Sequence, residues 1–146
     1  MNQWLFVLIT ILSIQSQLFA AQPAVFHLYS QPNPQVDLSC DLFRELKLEE
    51  RETTTGIQKM AYLENKLEGN CEVAYPKANS RNYVILSETK DECGTRILKG
   101  ISLYPTRIEI TDYSRTTCEF VIPALVVVKE EQLRGEAPIT FYGIKP

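Results

Sequence analysis

The sequence predicts an all-β fold, a β-sandwich of six or seven short strands. Apolar residues recur at every second position in several stretches, prolines and glycines punctuate the chain between them, and little helical periodicity interrupts the pattern. Four cysteines downstream of an apolar leader add an oxidised framework to that scaffold.

The chain of 146 residues opens on an almost unbroken apolar run, Trp4 to Ile14, and reaches the small residues Ala20 and Ala21 after polar Gln15-Ser16-Gln17. The run is too short to span a bilayer as a helix, and small residues suit a signal peptidase, so residues 1–21 are expected to be a signal peptide. The protein is then expected to be secreted and extracellular, with no membrane span. Residues 22–35, which carry Pro23, Pro32, Pro34 and the single histidine His27, read as an N-terminal extension. Residues 36–128 read as one domain, and residues 129–146 as a C-terminal tail that opens on charged Lys129-Glu130-Glu131.

Within the domain, Val36, Leu38, Cys40, Leu42, Arg44, Leu46 and Leu48 fall on one face of a period-two strand, although Arg44 to Glu50 could equally start a helix on propensity alone, and Thr53-Thr54-Thr55-Gly56 ends it. A segment from Tyr62 leads to the turn Gly69-Asn70 before Cys71, and Tyr83-Val84-Ile85-Leu86 is an apolar run of strand length. Ile97, Lys99, Ile101 and Leu103 alternate, Pro105 interrupts, and Ile108 and Ile110 resume. From Cys118 the positions Phe120, Ile122, Ala124, Val126 and Val128 share a face. Pro123 has no N–H to give, which places that strand at an edge or a bulge. In the tail, Ile139, Phe141 and Tyr142 have the makings of one last strand.

Chemistry is thinly represented. The net charge is −3 with both signs interspersed, which argues against nucleic acid as a partner. No C-x-x-C pair exists and His27 is far from every cysteine, so neither a metal nor a cofactor is expected. A Cys–His or Ser–His pair would have to use His27, which reads as a solvated surface residue, and nothing singles out a carboxylate pair among the 18 acidic residues. No catalytic residue is nominated, and the protein is expected not to be an enzyme. Cys40, Cys71, Cys93 and Cys118 are expected to form two disulfides, with three connectivities open.

Several stretches in order resemble the ZP-N domain of egg-coat and related extracellular proteins: "VDLSCDLF" around Cys40, "LEGNC" ending at Cys71, "ECGT" at Cys93, "ISLYPTRIEIT" around Tyr104, and "FVIP" from Phe120 to Pro123. Within that family the chain resembles the single-module secreted subgroup that includes placenta-specific protein 1 and the oocyte-secreted proteins. That resemblance implies an immunoglobulin-like sandwich of the ZP-N type with Cys71 bonded to Cys93 and Cys40 to the fourth cysteine, Cys118. It implies a secreted protein-interaction module in reproduction that self-associates or binds an extracellular protein through a strand edge. The Pro123 strand is the candidate edge, with Phe120, Ile122 and Pro123 as contact residues. A second expectation is a secreted salivary- or seminal-type ligand or inhibitor that uses residues 22–34 or 136–146.

Overall fold

The computed structural model describes residues 23–72, 80–119 and 122–146; the expected signal peptide and Phe120 lie outside them. The protein is all-β and carries two disulfides. Among the described residues eight strands follow one another around a single closed sheet: β1 (Ala24–Tyr29), β2 (Cys40–Thr53), β3 (Gly56–Gly69), β4 (Arg81–Lys90), β5 (Arg96–Ser102), β6 (Arg107–Asp112), β7 (Val126–Glu130) and β8 (Ile139–Ile144). Every strand pairs antiparallel with its neighbour in sequence, and β8 closes on β1 through Leu28 opposite Gly143 and Tyr29 opposite Tyr142. Where a two-sheet sandwich was expected, one sheet curls round and pairs with itself.

Two stretches read as extension and tail supply the closure. β1 occupies residues 24–29 and β8 residues 139–144, and each is the other's neighbour. His27 is therefore not a solvated residue: it is 8% exposed and stacks on Phe43 with ring centroids 3.8 Å apart.

Alternation then decides what fills the barrel. Inward positions include Phe26 and Leu28 of β1, Leu46 of β2, Leu63 of β3, Tyr83 of β4, Leu98 of β5, Ile110 of β6, and Val126 and Val128 of β7, all buried in one cluster. The expected inward parity holds for Arg44 and Leu46, and for Val126 and Val128, but β5 is reversed. Its buried residues are Leu98, Gly100 and Ser102, while Ile97 and Ile101 are only half-buried. Gly100 explains the choice: a Cβ there would meet the Val84 carbonyl oxygen at 2.7 Å, so the barrel accepts no larger inward residue opposite Ile85.

The strands expected at residues 36–48 and 118–128 are also shorter at their N-terminal ends. β2 starts at Cys40, leaving Leu38 93% exposed, and β7 starts at Val126. Ile122 and Pro123 lie in the β6–β7 connection, not on an edge strand. That connection is held by Ala124, which is buried, and by hydrogen bonds from Tyr113 N to the Leu125 carbonyl and from Leu125 N to the Gly143 carbonyl.

The disulfides pair Cys40 with Cys71 and Cys93 with Cys118. This corrects the Cys71–Cys93 and Cys40–Cys118 connectivity that the ZP-N resemblance implied. The register gives the reason: Cys40 lies opposite Gly69 at one mouth of the barrel, so Cys71 is two residues away across the hairpin. Cys93 sits in the β4–β5 turn at the other mouth, where Thr117 N donates to its carbonyl at 2.7 Å and brings Cys118 beside it. Gly94 in that turn has φ +83°, a left-handed conformation that glycine adopts freely, and Asp91 Oδ1 accepts from Cys93 N and Thr95 N to fix it.

Candidate functional site

The two mouths differ. At the Cys40–Cys71 mouth the interior is plugged. Arg44 donates to Glu130 at 2.7 Å, Tyr83 OH donates to the other Glu130 oxygen at 2.6 Å, and all three side chains are buried. The Arg44 guanidinium lies 5.0 Å from the Phe141 ring centroid, and the Ser102 and Thr106 hydroxyls bond at 2.7 Å nearby. Burial, and then the bond to Glu130, push the Tyr83 phenol above its ordinary value. Both Glu130 oxygens are engaged, so this layer is architecture that seals the core.

At the Cys93–Cys118 mouth the barrel wall is incomplete. β3 has 14 residues and β4 has 10, yet their ladder holds only four residue pairs, from Met60 opposite Val84 to Leu63 opposite Arg81. Continuing that ladder would set Gly56–Lys59 against Ile85–Glu88, but these stretches do not pair. A β-bulge between Ile85 and Ser87, in the register with β5, supplies the cause, because an extra residue bends and twists the strand that carries it. The bulged Leu86 is 70% exposed, and Ile57 across the gap is 68% exposed. Between them lies a cleft of about 450 Å³ lined by residues of the β2–β3 turn, β3 and β4.

Inward-facing charges are strung across the opening. Lys59 of β3 is ion-paired with Glu88 of β4 and lies 3.8 Å from Glu50; Arg96 of β5 bonds Glu88 at 3.0 Å and Asp112 of β6 at 2.6 Å. The Lys59 ammonium holds the Glu88 carboxyl below the usual carboxylate range, with Arg96 adding to it. Burial pushes the Asp112 carboxyl up, but hydrogen bonds from Ser114 and Arg96 outweigh it and leave it low. Beneath this chain a cavity of about 150 Å³ has apolar walls from Ala24, Leu48, Met60, Ile85 and Leu98, and the charged residues Glu49, Glu50, Lys59, Arg96 and Arg115 also line it.

The cysteines expected as framework are all bonded, and no cysteine is free. The nominated contact residues Ile122 and Pro123 are exposed in the β6–β7 connection, and the structure does not bring them to the cleft lining. The sequence reading missed the open seam. Its one trace there is that "YVILS" breaks period two at Leu86, which reads as a plain apolar run until the register exposes the bulge.

Among the described residues, no group of three or more His, Cys, Asp or Glu side chains is placed to hold a metal, and no helix is long and apolar enough to cross a membrane. No protein-family model matches the chain, and neither a curated protein nor a solved structure matches it.

Proposed function

We propose that the chain is a secreted, non-enzymatic protein-interaction module that engages an extracellular partner by strand-edge contact at the β3–β4 seam. The observation that carries the proposal is the pair of strand edges, residues 56–59 and 85–90, that face each other across a cleft in an otherwise closed barrel and are unpaired among the described residues. A closed barrel removes sheet edges; a local failure of closure leaves backbone N–H and C=O groups that an added strand satisfies. Export rests on the apolar leader and on two disulfides, which persist in oxidising compartments. The disulfide pairing is not the one the ZP-N resemblance implies, so neither a ZP-N-type sandwich nor a role in reproduction enters the proposal.

A specific observation favours a second reading, a ligand or inhibitor that works through loops. At the plugged mouth, Leu103 and Tyr104 in the β5–β6 turn are 98% and 72% exposed, an apolar tip on a rigid scaffold.

Panning the folded, disulfide-intact protein against a displayed library of random heptapeptides, followed by hydrogen exchange with the enriched peptides, separates the readings. Slowed exchange at residues 56–59 and 85–90 is expected. Protection confined to the β5–β6 turn, lost in a Leu103→Ser/Tyr104→Ser variant, would favour loop contact, and a library that enriches nothing would remove both. Expression of the full chain in cultured animal cells tests export: processed protein in the medium is expected, and retention of the unprocessed chain would overturn it.

A further inference from the structure

The cleft and the cavity beneath the mouth adjoin each other, with Lys59 and Ile85 lining both. We infer that the seam takes a single extended segment of a partner chain, inserted as a strand between β3 and β4, with one inward-pointing apolar side chain of valine or leucine size seated in the cavity over Leu48 and Leu98. The inference rests on the strand-edge reading above and adds what the inserted segment must be.

Three features of the site set these terms. First, edges face the cleft from both sides, so the occupant must offer hydrogen-bonding groups on both of its own sides. The edge strand of a second barrel is already paired within its own sheet and offers one side only; a terminus or loop of a partner offers two. Second, side chains on a strand alternate, so a segment lying between inward-facing Lys59 and Ile85 sends every second side chain toward the barrel axis. There Leu48, Met60, Ile85 and Leu98 offer apolar surface among the charged residues of the lining, and about 150 Å³ is the size of a cavity that holds one benzene ring. Third, Lys59 and Arg96 already answer Glu50, Glu88 and Asp112, and the lining also carries one further charge of each sign, Arg115 and Glu49, so the site holds little unbalanced charge for an acidic or basic inward residue. Leu86 and Ile57, exposed on opposite lips of the cleft, offer apolar surface to the segment's remaining side chains. Parting Lys59 from Glu88 to admit the strand is a small barrier, because both side chains are partly exposed.

The test uses a synthetic host peptide, Ser-Thr-Thr-Xaa-Thr-Thr-Ser, with Leu, Val, Gly or Asp at Xaa, titrated into the intact protein by NMR. Leu and Val guests are expected to bind about tenfold or more tighter than Gly or Asp, the effect of burying one apolar side chain. Ala24→Leu, at a solvent-exposed position of the cavity lining, is expected to fill the cavity and erase that preference while the amides of residues 85–90 still respond to peptide. Equal binding of all four guests, with shifts at residues 56–59 and 85–90, would overturn the apolar seat and leave the strand-edge reading standing. No binding by any guest, or shifts elsewhere only, would overturn both. A concentration-dependent dimer that buries the same amides and excludes the peptide would make a second copy the occupant and overturn the single-segment inference.

Discussion

Gly143 shows how little freedom the barrel leaves at its closure. It faces inward where β8 meets β7 and β1, and a Cβ there would collide with Val126 Cγ2 and approach Leu28 Cδ2 to 2.9 Å. Gly143→Ala is expected to destabilise the protein by about 1–3 kcal/mol, read as a lower urea midpoint with unchanged slope. The buried Arg44–Glu130 pair makes a second residue-scale prediction. Glu130→Leu removes the carboxylate that faces a buried guanidinium and accepts from Tyr83, at a cost of about 3–5 kcal/mol; adding Arg44→Met is expected to recover most of it. A double variant as unstable as Glu130→Leu alone would show that the pair is not the unit of stability. Arg44 was legible in the sequence as an inward residue, because it keeps period with Leu42 and Leu46. Its partner was not, since 86 residues separate them and the stretch holding Glu130 reads as a charged exit from the fold.

At the scale of elements, the open mouth is held by charges whose strength depends on pH. The Glu88 and Asp112 carboxyls are both lowered in the folded state. Groups of this kind stabilise fully above the unfolded carboxyl value of about 4, and their contribution is lost as pH falls through the lower folded value. Thermal unfolding midpoints are expected to be flat above about pH 5 and to fall below about pH 4; Asp112→Asn is expected to lower the plateau and flatten the acid limb. The disulfides tie the loops at each mouth, spanning 31 and 25 residues, and each is expected to contribute about 3–4 kcal/mol by loop entropy. Peptide mapping after non-reducing digestion is expected to recover Cys40 with Cys71 and Cys93 with Cys118, and a fragment joining Cys71 to Cys93 would contradict the fold as well as the pairing. The β4 bulge could not be read from sequence, because Leu86 is apolar on either face and only the slip between Ile85 and Ser87 against β5 reveals which way it points.

For the molecule as a whole, closure makes the two ends of the chain mutually dependent. Truncation before Ile139 removes β8 and leaves β1 and β7 each with an open edge, so a chain ending at residue 138 is expected to lose the cooperative unfolding transition of the full domain. A truncated protein with native-like dispersion in its NMR spectrum would show that closure is dispensable.

The sequence by itself determined the all-β class, the inward parity of β7, the turns at residues 53–56 and 69–70, and the presence of an oxidised framework. These are local properties: period two, turn residues and cysteine count act within a few positions of one another. Tertiary structure alone decided that the sheet closes into a barrel, which cysteines meet, and that β3 and β4 part at one mouth. A period-two strand buries one face equally well against a second sheet or against the far wall of its own barrel. The choice is made by register, by space for inward residues such as Gly100 and Gly143, and by the meeting of β1 with β8 across the length of the domain.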